Sequence, residues 1–561
     1  MEQRPWHAHY PEGVPREIDP DRFSSLAELC LASCREYRER RAFSNQGHTL
    51  SFADIDAASR DFAAYLVAGA HLERGDRVAV MLPNLLQSPI VMLGILRAGL
   101  TVVNVNPLYT VRELEHQLKD SGARAIVVLE NFGATLEKAL PKTDISTVIV
   151  TAIGDCLPAV KRVLTNFVVR HIKRIVPSYR LEQSVRWREA LRHGQALDYG
   201  DPEIAPEDVA FLQYTGGTTG VAKGAMLSHR NVVANVLQTS AWVGGALEPK
   251  DDTAVTPLPL YHIYALTVNL FTFWHLGAHN LLITNPRDFK RFVRDLRANE
   301  FAFITGVNTL FNALTRAPGF DRIDFSGLKI VMGGGMAVHA DVAERWQRMT
   351  GVVINQGYGL TEASPVVCAN PLDIKRFDGS VGLPFPSTDV MLIDDDGQPA
   401  AERGELCVKG PQVMQGYWQR QDETAAAFLD GGWLKTGDIA RIDGDGRLYI
   451  EDRKKDVIIV SGFNVYPSEV EDVVASHPGV VEAAAIGIPS EESGEAVKVY
   501  VVKHDESLDA AELMAYCRER LTGYKSPDEV EFVAELPKSN VGKVLRRELK
   551  QWHEKGLSRS S

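Results

Sequence analysis

The run Tyr214-Thr-Gly-Gly-Thr-Thr-Gly-Val-Ala-Lys-Gly224 has the residue types of a phosphate cradle. It follows an apolar stretch and offers Thr215, Gly216, Gly217, Thr218, Thr219 and Gly220 in succession, with Lys223 closing the loop. Glycines let backbone N–H groups converge on an anion, threonine hydroxyls add donors, and the lysine supplies a point charge. The spacing is neither G-x4-G-K-[ST] nor G-x-G-x-x-G, which excludes a Walker A loop and a dinucleotide fingerprint. The same composition also suits a flexible surface turn.

A second segment, Gly357-Tyr-Gly-Leu-Thr-Glu362, adds complementary chemistry. Tyr358, followed by Gly359, offers a flat face on which a base can stack. Thr361 offers a hydroxyl to phosphate and Glu362 a carboxylate to Mg2+, which needs few protein ligands when phosphates supply the others. Taken alone, the segment also fits a buried tyrosine and a solvated glutamate. Gly333, Gly334 and Gly335 permit close approach of a flat ligand or mark a tight turn. In Lys435-Thr-Gly-Asp438 an aspartate on a tight turn can accept hydrogen bonds from ribose hydroxyls, or can close an Asx turn between strands.

The elements that position these segments follow from hydrophobic pattern. Strands are predicted at residues 77–82, 101–105 and 125–129, with helices at 88–98 and 113–121 between them, a rhythm that implies parallel sheets covered by helices. Further strands at 209–214, 329–332 and 352–356 end near glycine-rich or polar loops, where open α/β sheets bind ligands. After about residue 380, short strands separated by Asp/Gly turns predict a small β-barrel-like subdomain. An α+β pattern begins beyond 452–455. The predicted fold class is α/β, with a large N-terminal body over 1–451 and a smaller α+β domain over 456–561.

Composition narrows the function classes. The chain carries 61 Lys and Arg against 73 Asp and Glu, a formal charge of −12, with 45% hydrophobic and 24% charged residues. These proportions exclude a disordered chain, a coiled coil and a collagen, and the acidic balance argues against a nucleic-acid partner. The six cysteines, none in C-x-x-C, exclude a disulfide framework and a structural zinc site and fit reduced thiols in the cytoplasm. No secretory signal and no membrane span is expected.

Together the segments resemble the adenylate-forming family of acyl-CoA synthetases, luciferases and peptide-synthetase adenylation domains, from about residue 50 to 549. Residues 214–224 resemble its phosphate loop, 357–362 its adenine- and magnesium-binding motif, and 436–438 its ribose motif. Residues 452–469 are similar to its hinge motif and 536–543 to its C-terminal motif. Residues 103–109, 258–264 and 305–314 are similar to bacterial long-chain fatty-acid–CoA ligases. The resemblance implies that fatty acid, ATP and CoA give acyl-CoA, AMP and pyrophosphate, with Mg2+ as the metal.

It also implies roles. Lys223, Thr218 and Thr219 would hold the β- and γ-phosphates, Glu362 would anchor Mg2+, and Lys543 would neutralise charge at the α-phosphate. Asp438 and Arg453 would fix the ribose. ATP binding thus extends over Tyr214 to Gly220, Lys223, Gly335, Tyr358, Gly359, Thr361, Asp438 and Arg453, with Lys543, Glu362 and Thr218 catalytic. The small domain would swing at 452–455 about Lys455. His262 would stand near the acyl site, and Gly333, Gly334 and Gly462 would line the acyl and CoA path. Many members carry a lysine after the hinge-motif isoleucine, where this chain has Ile458-Ile459, so no role for it carries over.

Competing expectations are a medium-chain or aryl-acid CoA ligase, and a fatty-acyl uptake protein with vestigial catalysis. Intact Lys543, Glu362 and Asp438 speak against the latter. Monomer and homo-oligomer both stay open. Residues 159–176 place Lys161, Arg162, Arg170, Lys173 and Arg174 among apolar residues at helical spacing. Such a helix either packs its apolar side on the body or lies on an anionic lipid surface, which would put a cytoplasmic protein at the inner face of the membrane.

Overall fold

The computed structural model describes residues 4–215, 222–247, 252–490, 493–539 and 542–556. The expected β-α-β rhythm is present as strands Arg77–Met81, Thr101–Asn104 and Ala125–Leu129 with helices Gln87–Arg97 and Val111–Ser121. The helix Val111–Ser121 starts where Thr110 and Glu113 form a reciprocal capping box and ends where Gly122 takes a left-handed φ of 59°. Both devices satisfy backbone groups that a helix end leaves unpaired. Ala125–Leu129 is buried at every position, as a parallel strand covered on both faces must be.

These strands belong to an eight-stranded sheet with the order Gly416–Tyr417, Lys223–Ser228, Val209–Thr215, Thr101–Asn104, Arg77–Met81, Ala125–Leu129, Thr147–Thr151, Val185–Arg186. It is parallel except for its first two members, which pair antiparallel. A nine-stranded sheet sets Ile354–Gly359, Ile330–Gly333, Phe303–Gly306 and Thr253–Thr256 side by side and parallel. Phe211, Leu227, Val255, Ile304 and Val331 from both sheets share one buried core. The carboxyl ends of Val209–Thr215, Ile330–Gly333 and Ile354–Gly359 lead into the segments expected to do chemistry.

The β-rich part is a six-stranded antiparallel sheet, paired along an open path, that includes Asp389–Ile393, Arg403–Lys409, Trp433–Ile442 and Leu448–Arg453. It corrects one expectation. Residues 435–438, expected on a turn, lie inside the strand Trp433–Ile442. Gly437 takes a φ of 72°, and the register against Arg403–Lys409 slips between Glu405 and Cys407. The Gly-Asp pair therefore serves a β-bulge, which re-aims a side chain without ending the strand.

The small domain folds on its own core of Ile458, Val470, Val499, Val501 and Leu513. Its sheet contains Ile458–Val460, Phe463–Val465, Val480–Ser490, Gly494–Lys503 and Glu529–Phe532, with helices Pro467–Ala475 and Ala510–Arg518.

The helix Ala159–Phe167 and its continuation Val168–Ile172 do not pack their apolar side on the body. Val160, Val163, Leu164, Phe167, Ile172 and Ile175 are 50–74% exposed. Lys161 donates to the Gln46 and Gly47 carbonyls, and Arg170 Nε donates to the buried carboxylate of Glu130 at 3.0 Å. The segment is tethered at these two points while its apolar side chains stay exposed, so the packing alternative is not the one adopted.

Candidate active site

Asp438 lies at the centre of the best-defined group. The bulge buries its carboxylate, and its backbone N–H donates to Thr436 Oγ1 at 3.1 Å. Arg453 faces it across the antiparallel pair, with Nε 3.4 Å from Oδ1. Tyr358, at the end of Ile354–Gly359, donates its hydroxyl to Asp438 Oδ2 at 2.6 Å. The nine-stranded and six-stranded sheets thus meet at this carboxylate, and the hydrogen bond fixes the plane of the tyrosine ring.

Lys543 comes to the same group from the small domain. Burial and the neighbouring Arg453 lower its pKa to about 8, with Asp438 opposing them. Its loop is held locally, since the Lys543 N–H donates to Ser539 Oγ at 3.1 Å. Across the seam, Gly542 sits at a φ of 86°, where a Cβ would stand 2.5 Å from Thr309 Oγ1 of the large body. A glycine is required there for the two domains to meet. His262 lies within the field of Lys543; burial first, then that lysine, push its pKa down to about 4 and keep the ring neutral.

The phosphate side is positioned by the edge pairing of Gly416–Tyr417 with Lys223–Ser228. Lys223 stands opposite Thr215 in register, forms an ion pair with Glu423 and lies 5.0 Å from the centre of the Tyr417 ring. The Tyr417 hydroxyl donates to Glu362 Oε1 at 2.8 Å. One aromatic side chain therefore touches both the expected phosphate cation and the expected metal anchor. Behind it, the Tyr214 hydroxyl and Arg420 Nη2 each donate to Asp120 at 2.7 Å, so Tyr214 braces the loop base with its hydroxyl. Gly216, Gly217, Thr218, Thr219 and Gly220 lie outside the described residues. Lys223, Arg453 and Asp438 all lie within electrostatic range of Lys455.

The remaining expected residues fall in distinct settings. A Cβ on Gly334 would meet the Tyr264 ring at 3.1 Å, one on Gly333 would meet Val338 at 2.8 Å, and one on Gly359 would meet the Pro365 carbonyl at 2.2 Å. Gly335 takes a left-handed φ of 77°. Thr361 opens the short helix Thr361–Ala363 that carries Glu362. Gly462, with a φ of 84°, has open space around it, and Lys455 is exposed on the turn after Leu448–Arg453. A recess of about 140 Å³ near Arg74, His229 and Trp418 opens instead at the amino ends of the parallel strands, and its Arg74 is committed to Asp208.

Sequence reasoning missed Tyr417, Glu423, Arg420 and Asp120, because no chain spacing links them to residues 223 and 362. Glu362 fits a hard cation: it is a carboxylate that accepts from Tyr417 on one oxygen and has no partner on Oε2 among the described residues. No cluster of three acidic, His or Cys ligands occurs among those residues, so Mg2+ on Glu362 would take its other ligands from phosphate oxygens and water. If Glu362 anchors Mg2+ as the resemblance implies, Tyr417→Phe is expected to lower nucleotide-dependent turnover about ten- to a hundredfold and to raise the Mg2+ concentration required, since a hydrogen bond to a charged group contributes about 1.5–3 kcal/mol. A magnesium titration of pyrophosphate release measures it.

A large α/β body and a small α+β domain that meet over a buried aspartate, an arginine and a lysine have the architecture of adenylate-forming enzymes. The model of the AMP-binding enzyme family matches residues 30–418, and that of the AMP-binding enzyme C-terminal domain matches 469–543. The chain belongs to this family. A long-chain-fatty-acid–CoA ligase of Escherichia coli O6:H1 is 57% identical over 547 residues, covering 97% of each chain. One from Haemophilus influenzae is 52% identical over 550 residues, covering 97% of this chain and 98% of its own. The ATP-bound crystal structure of MatB from Rhodopseudomonas palustris superposes with a TM-score of 0.79 at 26% identity, covering 94% of this chain and 99% of its own.

Proposed function

We propose that this chain is a long-chain fatty-acid–CoA ligase that forms AMP and pyrophosphate. The observation that carries the reading is Lys543 standing within electrostatic range of Asp438 and Arg453 in a chain 57% identical, over nearly its whole length, to a ligase of that name. The large body takes residues 1–451, the hinge 452–455 and the mobile domain 456–561.

In the first step the fatty carboxylate attacks the α-phosphorus of ATP, the bond to the β-phosphate oxygen breaks, and pyrophosphate leaves. Two anions must approach, so the barrier is largely electrostatic. Lys223 and the threonines of the loop hold the outer phosphates, and Lys543 offsets charge growing at the α-phosphate. Asp438 and Arg453 hold the ribose, which lowers the entropy cost of alignment. Mg2+ bound at Glu362 would supply charge screening on the phosphates. In the second step the CoA thiolate attacks the acyl carbonyl and AMP departs. Lys543 occupies the cleft in the pose described, so the small domain turns at Lys455 and brings Gly462 inward. The product is the activated form that fatty-acid degradation by β-oxidation consumes.

The test is acyl-CoA formation with ATP and CoA across saturated acids of increasing length, with benzoates as controls. Each buried methylene contributes about 0.8 kcal/mol, so kcat/KM rises with length in a long-chain enzyme. A maximum at medium chains or benzoates would replace the reading.

The exposed apolar face of Ala159–Phe167 and Val168–Ile172 supports peripheral attachment to the inner face of the membrane, where fatty acids partition. Arg162, Lys173 and Arg174 beside it have no ion pair among the described residues, although the chain as a whole is acidic. No helix among those residues is long and apolar enough to cross a membrane. Lys173→Glu with Arg174→Glu is expected to weaken binding to anionic vesicles about thirtyfold, at about 1 kcal/mol for each basic residue lost near the surface. Wild-type binding falls with salt; salt-independent cosedimentation would overturn the assignment.

A further inference from the structure

Besides Arg546, which pairs with Asp452 on the strand Leu448–Arg453, the small domain meets the large body through a charged contact at His339. His339 immediately precedes the helix Ala340–Thr350 of the large body, and its Nδ1 lies 2.7 Å from Asp472 Oδ1 on the small-domain helix Pro467–Ala475. The His339 backbone N–H donates to Asn308 Oδ1 at 3.1 Å. Asn308 opens the helix Asn308–Thr315, and its chain neighbours Val307 and Thr309 are the residues against which Gly542 is seated. Gly542 directly precedes Lys543. The His339 contact and the lysine loop therefore share one anchorage, and a rotation that stretches the first also lifts Lys543 from Asp438 and Arg453.

We infer that the His339–Asp472 pair is an ionic latch for the adenylate-forming pose, and that His339 is a positioning residue acting through Lys543. This rests on the two-pose reading given above. The groups facing the imidazole are Asp472 and Glu471 on the small-domain helix and Asp341 on its own helix, with Glu471 itself held by Arg546. Burial works against the imidazolium, and these carboxylates more than offset it, so the ring keeps its proton above its ordinary range. Protonated, His339 holds the latch. As pH rises through its raised titration point the attraction fades and the small domain is freed for thioester formation.

The full-length protein is assayed between pH 6 and 9 for pyrophosphate release from oleate and ATP, and separately for thioester synthesis from supplied oleoyl-adenylate and CoA. His339→Ala and Asp472→Asn are expected to slow the first reaction about three- to fivefold at pH 6, the scale of a partly exposed ion pair. The second reaction keeps its rate or gains. The gap between wild type and His339→Ala closes toward pH 9, whereas the titration of Lys543 is common to both and cancels from their ratio. His339→Lys, a permanent cation, retains the low-pH ratio across the whole range. Equal loss in both half-reactions, or a gap that ignores pH, would make His339 merely structural and overturn the latch. Loss of both half-reactions in Lys543→Ala would instead overturn the two-pose reading beneath it.

Discussion

Replacing Lys543 with alanine is expected to cut pyrophosphate release from oleate and ATP by about 10²–10³-fold, the scale of removing a preorganised charge from a forming anion. Thioester synthesis from supplied oleoyl-adenylate and CoA should stay close to the wild-type rate. The difference follows from where the lysine sits. On the proposed two-pose scheme it acts beside Asp438 and Arg453 while the small domain covers the cleft, and the thiol enters once that cover has moved. Charge enters the same prediction. Burial and Arg453 bring the lysine pKa to about 8, and only the cation can offset phosphate charge. Wild-type kcat/KM for the first step should therefore fall as pH rises through about 8, and Lys543→Ala should lack that limb. Equal loss of both half-reactions would contradict domain alternation.

Those two measurements bear on parts of the molecule that were unequally legible in the sequence. Strands such as Ala125–Leu129 could be read to the residue, because a fully buried parallel strand is an apolar run with polar punctuation at both ends. Lys543 could be located only through resemblance to a family, since 90 residues separate it from Arg453 and no period connects them. The sequence marks Asp438 as an acceptor and predicts a turn around it, where the structure has a bulged strand. Gly-Asp carries the same local signal in a turn and in a bulge, and the slip of Trp433–Ile442 against Arg403–Lys409 that decides between them is a property of the partner strand. Tyr417 was invisible for a related reason: its value lies in the edge pairing that sets it between Glu362 and Lys223. The segment 159–172 shows the limit of periodicity most sharply. Amphipathic spacing defines a helix and its apolar side, but not which way that side faces; in the fold Lys161 is tethered to Gln46 and Gly47, Arg170 is tethered to Glu130, and the apolar side chains stay exposed.

Lys455→Pro should separate the half-reactions in the opposite sense, slowing thioester formation by about 10²-fold and pyrophosphate release much less, the smaller loss reflecting the restriction on Lys454 in the turn. The turn after Leu448–Arg453 is closed by the Lys454 N–H on the Gly437 carbonyl and the Asp456 N–H on the Arg453 carbonyl, both at 2.9 Å. The Lys455 N–H donates to no acceptor among the described residues, so a proline ring there forfeits no hydrogen bond in the adenylate-forming pose. What it removes is rotation about φ, fixed by the ring near −65°. A domain swing that passes through this residue then has to be absorbed by Lys454 or Asp456, and the residue before a proline is itself restricted. Holding a residue in a sparsely populated φ/ψ region costs about 1–3 kcal/mol, the upper end of which corresponds to the expected hundredfold. Single-turnover thiolation of supplied oleoyl-adenylate reads the effect directly. If Lys455→Pro instead lost pyrophosphate release and kept thiolation, the pivot would lie elsewhere in the chain, and the exposed hairpin that carries Gly462 would have to reach the cleft by another route.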